Sequence, residues 1–216
     1  MVVNMSRAAT GVYGGVGADE RRAARRAQLI ETALELLGTE GWQGTTVRAI
    51  CNTARLTPRY FYESFADLDA LLLAVFDAIV QESAAVTLDA VRQAPHSARA
   101  KARAAIGAFV QMISDDPRKA RVLFIEAMGS EVLARRRFET VRMFAQLVAE
   151  QAREFYGRQN QPDALTDVAA LMLVGGLAES LLAWLDGTLH LTRSQLIDHC
   201  AEVFVATGRV GPGSLR

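Results

Sequence analysis

Residues 45–65 read TTVRAICNTARLTPRYFYESF. Two helix starts stand close together in this stretch. Thr45 or Thr46 can cap a short helix running to about Ala54, with Val47 and Ile50 facing inward. Thr57 then offers a second N-cap, and Pro58 suits a first helical position because its missing N–H has no partner there anyway. The spacing predicts a further helix over 58–64, after a break of only a few residues at Ala54–Leu56. Two short helices joined so tightly form a helix-turn-helix, whose second helix can enter the DNA major groove with its first turn toward the base edges.

The aromatic cluster behind Pro58 divides by direction on such a helix. Phe61 and Phe65 share a side with Leu56 and read as core. Arg59 and Tyr60 lie in the first turn, away from Phe61. A guanidinium there can grip guanine with two hydrogen bonds, worth roughly 1–3 kcal/mol of discrimination. Tyr62 packs its ring and leaves its hydroxyl for backbone phosphate. Thr46 and Thr57 can cap or bond a phosphate, and Arg48 can neutralise one from the preceding helix. Arg25, in the cluster ERRAARR at 20–26, reads the same way with Arg21, Arg22 and Arg26. Such contacts are sequence-blind and salt-sensitive.

Outward from this stretch, helical periodicity is nearly everywhere and strand signals are nearly absent. Ile30, Ala33, Leu34 and Leu37 place a first helix at about 20–39, ending near Gly38 and Gly41. Asp67 caps a longer helix carrying Leu71, Leu72, Val75, Phe76 and Ile79. Beyond the break at Pro95-His96 come a helix striped by Ala105, Ile106, Phe109 and Ile113, and a capped one from Asp116-Pro117 to about Ala127. A long helix from Gly129-Ser130 to about Tyr156, a polar loop at 157–163, and helices at about 164–186 and 193–207 complete the chain. Thr192 and Gln195 form a capping box on the last. The fold expected is all-α, with about nine helices: a Gly-rich flexible tail at 1–18, a helix-turn-helix domain at 19–66, and a larger helical domain at 67–210.

The stretch 26–76 resembles the TetR-type helix-turn-helix transcriptional regulators. Gly41-Trp42 leads into Thr46-x-x-x-Ile50, as in that family. Ala54, Leu56, Thr57, Phe61, Tyr62 and Phe65 then match its pattern Ala-Gly-Val-Ser-x-x-x-hydrophobic-Tyr-x-x-Phe, and Leu71-Leu72 matches its paired leucines. Two positions depart. Arg55 stands where the family has glycine in the turn, and Leu68 stands where it often has a phosphate-gripping lysine. The resemblance implies a homodimer on a double-stranded operator, most simply a repressor released from a palindrome by a small apolar effector. Twofold symmetry in the protein then matches twofold symmetry in the site.

The C-terminal half offers pocket walls rather than catalytic residues. Phe76, Phe109, Met112, Phe124, Met128, Phe144 and Trp184 are candidate walls of an apolar cavity. Glu126 and Glu179 interrupt apolar runs and are candidate polar anchors in it. Helix 164–186 carries small residues at helical spacing, including Gly176, Ser180 and Ala183 beside Met172. With Leu196 and Val203 of the last helix, these form the dimer interface that the resemblance implies. The alternative is a helical enzyme or carrier using Glu126 and Glu179 in that pocket. A third reading keeps the DNA-binding motif but fills the core and has no effector.

Composition sets outer limits. Of 216 residues, half are hydrophobic, so a sizeable core can form; 24 Lys plus Arg balance 24 Asp plus Glu, so bulk charge points to no partner. The three histidines are scattered, with no metal-ligand spacing, phosphate loop or nucleophile elbow, so neither cofactor nor metal is expected. Two distant cysteines and no signal-peptide pattern suggest a reduced, cytoplasmic chain. The apolar run VAALMLVGGLAESLLAWL at 168–185 is interrupted by Glu179 and reads as a buried helix, not a membrane span.

Overall fold

The computed structural model describes residues 17–155 and 164–209. Among them are ten α-helices, one 3-10 turn and no strand. The helices are α1 (Ala18–Thr39), α2 (Gly41–Gly44), α3 (Val47–Ala54), α4 (Pro58–Tyr62) and α5 (Leu68–Gln93). They continue as α6 (Ala98–Asp115), α7 (Pro117–Phe124), α8 (Glu131–Phe155), α9 (Ala164–Leu185) and α10 (Arg193–Arg209), with the 3-10 turn at Glu126–Met128 between α7 and α8.

The all-helical fold with an N-terminal helix-turn-helix agrees with the sequence. The tally of nine does not, because Gly41–Gly44 forms a separate turn of helix. The segment expected as one helix to Ala127 also stops at Phe124, and α4 ends two residues before its expected limit. Most of the 1–18 tail and the 157–163 loop lie outside the described residues.

The caps fall largely where side-chain chemistry puts them. Thr46 accepts from the Ala49 N–H at 3.1 Å, Asp67 from that of Ala70 at 2.8 Å, and Asp116 from that of Arg118 at 3.2 Å. Thr192 and Gln195 close the expected capping box, the Thr192 N–H donating to Gln195 Oε1 at 3.0 Å and the Gln195 N–H to Thr192 Oγ1 at 3.3 Å. Thr57 is the exception: it is the N-cap of α4 by backbone, yet its side chain makes no capping bond.

One continuous core runs from Leu29, Ala33 and Leu37 of α1 through Ile50 and Phe61 to Leu133, Leu181 and Leu196. Helix α5 is its spine. Leu71, Leu72, Val75 and Phe76 are all essentially inaccessible to solvent. A salt bridge of 2.6 Å from Arg136 to Asp77 ties α8 to this spine.

Among the described residues, two helices are long and apolar enough to cross a membrane, α5 and α9. They differ in packing: 39% of the apolar window of α5 is buried, against 11% of that of α9. The expectation that 168–185 forms a buried helix is therefore corrected. Its apolar residues go all round, and α8 and α10 cover only part of the circumference. Leu165, Val168, Leu171, Met172 and Leu185 are left exposed.

Candidate functional site

The turn between α3 and α4 is built on Arg55, the one non-glycine residue at positive φ among those described (φ 54, ψ 38). Its N–H donates to Asn52 O at 3.2 Å, and the Leu56 N–H to Cys51 O at 3.0 Å, closing α3 with a left-handed cap. Arg55 thus keeps the conformation that a glycine would take without strain. A left-handed non-glycine residue costs about 1–2 kcal/mol. From α1, the Gln28 side chain donates to Ala54 O at 2.9 Å and holds this end of α3 in place.

Helix α4 is anchored by Phe61, which is wholly buried, and by the nearby Phe65. With those rings inward, the rest of the short helix faces solvent. Thr46, Arg48, Thr57, Pro58, Arg59, Tyr60 and Tyr62 are all exposed, and Arg25 is half-buried beside them. The Arg59 side chain is 83% accessible and donates to Glu63 at 3.0 Å. Arg25 lies 3.9 Å from the same carboxylate, and its guanidinium stacks 4.5 Å above the Tyr60 ring. Glu63 therefore gathers Arg25, Arg59 and Tyr60 on one surface, a role that sequence spacing gave no reason to assign. Exposed pairs of this kind are worth at most about 1 kcal/mol, so a phosphate can displace Glu63 at small cost. Arg48 has no ion-pair partner among the described residues.

Leu68 is half-buried and packs against the core. The position where a phosphate-gripping lysine was missed serves the interior instead.

Between α5, α6, α7, α8 and α9 lies a cavity of about 170 Å³ that presents almost no polar surface. Phe76, Phe109, Phe124 and Phe144 line it, four of the nine residues expected of a pocket. The other five do not. Met112 points into the core, where its sulfur accepts from Ser83 at 3.6 Å. Met128 is 66% exposed in the 3-10 turn. The indole N–H of Trp184 donates to Leu191 O at 2.9 Å, which fixes the α9–α10 connection. Glu179 is exposed and accepts from Arg137 at 2.8 Å, outside the cavity that Arg137 borders. Glu126 is buried on the far side of α7 from the cavity, among groups of α1 and α2. The walls that sequence reading missed include Val80, Ser83 and Thr87. They continue the Phe76 stripe along α5 at helical spacing, so the pattern was present but was not extended.

Glu126 is instead a structural hub. It accepts from the Trp42 N–H at 2.7 Å and from Arg121 at 2.8 Å. Arg121 also donates to Gly38 O at 3.0 Å and Thr39 O at 3.3 Å. Gly41 sits at φ 72, where a Cβ would lie 3.0 Å from Arg121 and 3.2 Å from Glu126. One turn earlier on α7, Arg118 donates to Glu31 at 3.0 Å and Glu35 at 2.6 Å of α1, and to Asp116 at 2.8 Å. The Arg118 guanidinium holds the Asp116 carboxyl below the usual carboxylate range. Helix α7 thus presents Leu123 and Phe124 to the cavity and its arginines to α1.

Of the expected dimer residues, Met172 (71% accessible) and Val203 are exposed, and Gly176 faces open space. Ser180 donates to Gly176 O at 2.7 Å, and Ala183 is half-buried. Leu196 is corrected: at 1% accessibility it belongs to the interior core and cannot meet a second chain.

Residues 29–75 match the family model for bacterial regulatory proteins of the TetR family. Most of the chain is similar in fold to solved structures. One is a chain of Pseudomonas aeruginosa PAO1 described as a transcriptional regulator (22% identity, TM-score 0.71, 90% of this chain and 95% of that one). A second is the fatty acid degradation regulator FadR of Bacillus halodurans (17%, 0.70, 91% and 98%). A third is FadR of Bacillus subtilis in complex with stearoyl-CoA (17%, 0.69, 84% and 98%).

Proposed function

We propose that this chain, whose residues 29–75 match the model for TetR-family bacterial regulatory proteins, is a DNA-binding transcription regulator: a homodimeric repressor that an apolar small molecule releases from a palindromic operator. The observation that carries the DNA-binding part is α4, where Phe61 is wholly buried while Arg59, Tyr60 and Tyr62 stand exposed in adjoining positions. Tyr60 and Arg59 read bases, Tyr62, Thr46 and Thr57 reach phosphate or sugar, and Pro58 fixes the start of the helix. Arg25 and Arg48 neutralise phosphates on either flank. Residues 19–66 form the DNA-binding part and 67–210 the effector and dimer part.

The exposed apolar face of α9, with Met172, Gly176, Ser180 and Ala183, pairs with its copy, together with Val203 of α10. Burying that face in a dimer accounts for a helix that is apolar all round yet little buried in one chain, and it keeps the protein off membranes and in the cytoplasm. The effector enters the cavity bounded by Phe76, Phe109, Phe124 and Phe144. That a regulator of like fold has been crystallised with stearoyl-CoA supports a ligand with a long apolar part.

Coupling runs by two routes. Phe76 and Val80 put the ligand against α5, whose first turns pack on α1. Phe124 puts it against α7, whose Arg118, Arg121 and the adjoining Glu126 grip α1 and the Gly38–Trp42 turn. Displacing either helix changes the spacing of the two recognition helices, which must stay matched to half-sites about 34 Å apart. The effector acts only as far as it binds the released state more tightly than the bound one.

The enzyme or carrier reading loses its footing because neither Glu126 nor Glu179 faces the cavity: each is committed to an arginine. A selection of duplexes from a randomised pool tests the proposal. A palindromic consensus that Arg59→Ala and Tyr60→Ala no longer bind is the expected result. Recovery of no preferred duplex by the wild-type dimer overturns it.

A further inference from the structure

A second cavity, of about 540 Å³, adjoins the first. Thr87, Ala105, Ile106, Phe144, Val148 and Phe204 border both, so the two share a wall of mostly apolar side chains. Alone, the first is too small for a whole ligand, since small-molecule sites run to about 300–1,000 Å³. Both together fall inside that range. A ligand that uses the first must therefore pass the shared wall and extend into the second, which selects an elongated shape.

The two ends differ in chemistry. The inner end, at Phe76, Phe109 and Phe124, offers nothing to hydrogen-bond, so a polar group placed there would lose its water without compensation. The outer end carries His96, Lys101 and Arg153, with Glu154 as the one carboxylate among the described lining residues, and that carboxylate already accepts from Gln151 at 3.3 Å. Lys101 has no carboxylate partner among the described residues; its ammonium lies 6.0 Å from the centre of the Phe155 ring. Arg153 pairs with Asp167 through Nη2, while its Nε is buried with no acceptor among the described residues.

We propose that the two cavities form one channel for a single straight aliphatic chain with an anionic head, its tail at Phe76, Phe109 and Phe124 and its head at Lys101, on the side that Arg153 also lines. This rests on the ligand-responsive reading above and adds to it the class and direction of the ligand. A free carboxylate and the phosphate-bearing head of a thioester share the chemistry that Lys101 and Arg153 recognise.

The test is calorimetry on the full chain with octanoate, dodecanoate, palmitate and palmitoyl-CoA below their micelle concentrations. Hexadecanol serves as the neutral-headed tail and naphthoate as the compact acid. Affinity is expected to rise about fourfold per added methylene until the channel is filled. Lys101→Met is expected to weaken palmitate roughly tenfold or more and leave hexadecanol unchanged. Ala178→Leu, and separately Val174→Leu, are expected to narrow the inner end and shift the preference to a shorter acid. Tighter binding of palmitate or of palmitoyl-CoA identifies which head is used.

Naphthoate binding as tightly as palmitate, or Lys101→Met weakening acid and alcohol alike, overturns the proposal. If no acid or thioester binds while another compound releases the operator, this assignment fails and the ligand-responsive reading stands. If the acids bind along the expected series but never release DNA, the channel stands and that reading fails.

Discussion

Glu126 accepts a hydrogen bond from the backbone N–H of Trp42 at 2.7 Å, joining positions 84 residues apart in the chain. The bond ties the 3-10 turn after α7 to the start of the segment that leads into α3 and α4. Phe124, two residues earlier, touches the cavity. Glu126→Ala leaves the Trp42 N–H and part of Arg121 unpaired in a half-buried place, which costs about 1–3 kcal/mol. The denaturant midpoint is expected to fall accordingly. Operator affinity should survive better than release by effector, because the link between the two parts is what has been cut. A variant released as readily as wild type would show that α7 does not carry the signal.

Arg59 and Arg48 are expected to separate in their effects on DNA. Arg59→Ala removes a base contact and should cost about 1–3 kcal/mol of operator affinity, with relaxed specificity at one position of each half-site. Arg48→Ala, like Arg25→Ala, should weaken operator and non-specific duplex alike and reduce the salt slope by about one per site. Binding titrations across a range of salt distinguish the two patterns. Thermal melting should hardly move for Arg59→Ala, since its bond to Glu63 is exposed.

Arg55→Gly relieves the left-handed strain at the α3–α4 turn. A gain of about 1 kcal/mol in unfolding free energy is expected, somewhat offset by the greater freedom of glycine in the unfolded chain. Unchanged operator affinity would show that Arg55 makes no phosphate contact, and a loss with a shallower salt slope would show that it does.

Met172→Glu places a charge in the middle of the exposed face of α9. Light scattering is expected to show a monomer, with loss of binding to a palindromic duplex and little loss of helicity. A variant that stays dimeric would move the interface elsewhere.

Asp116 links α7 to pH. Its carboxyl titrates below the ordinary range because Arg118 bonds to it. Its contribution to stability is therefore complete above the usual carboxylate pKa of about 4 and is lost as pH falls through its lowered value. Asp116→Asn keeps a capping oxygen and removes the charge. The variant should be less stable than wild type at neutral pH, and the gap should close under acid. Paired denaturation curves over that range measure it.

The helix-turn-helix was legible because its signals are local. Thr46 fixes a helix start through a bond to Ala49, Thr57 and Pro58 fix the next through their own backbone geometry, and the inward side of Phe61 and Phe65 follows from helical spacing alone. The caps at Asp67, Asp116 and Thr192 were legible for the same reason. Leu68 was read through its counterpart in the family, whereas the core beneath α5 decides its place.

What the sequence determined by itself was every helix but α2 and the outward face of α4, since both depend on neighbours within about one turn. Tertiary structure alone decided which apolar residues line a cavity and which fill the core. Met112 and Phe109 are equally apolar and near in sequence, yet one points inward against Ser83 and the other borders the space. It also decided that Glu126 serves Trp42 and Arg121 rather than a ligand, and that Leu196 is interior while Met172 is exposed. Such outcomes depend on partners dozens of residues away, whose positions are set only when the helices pack.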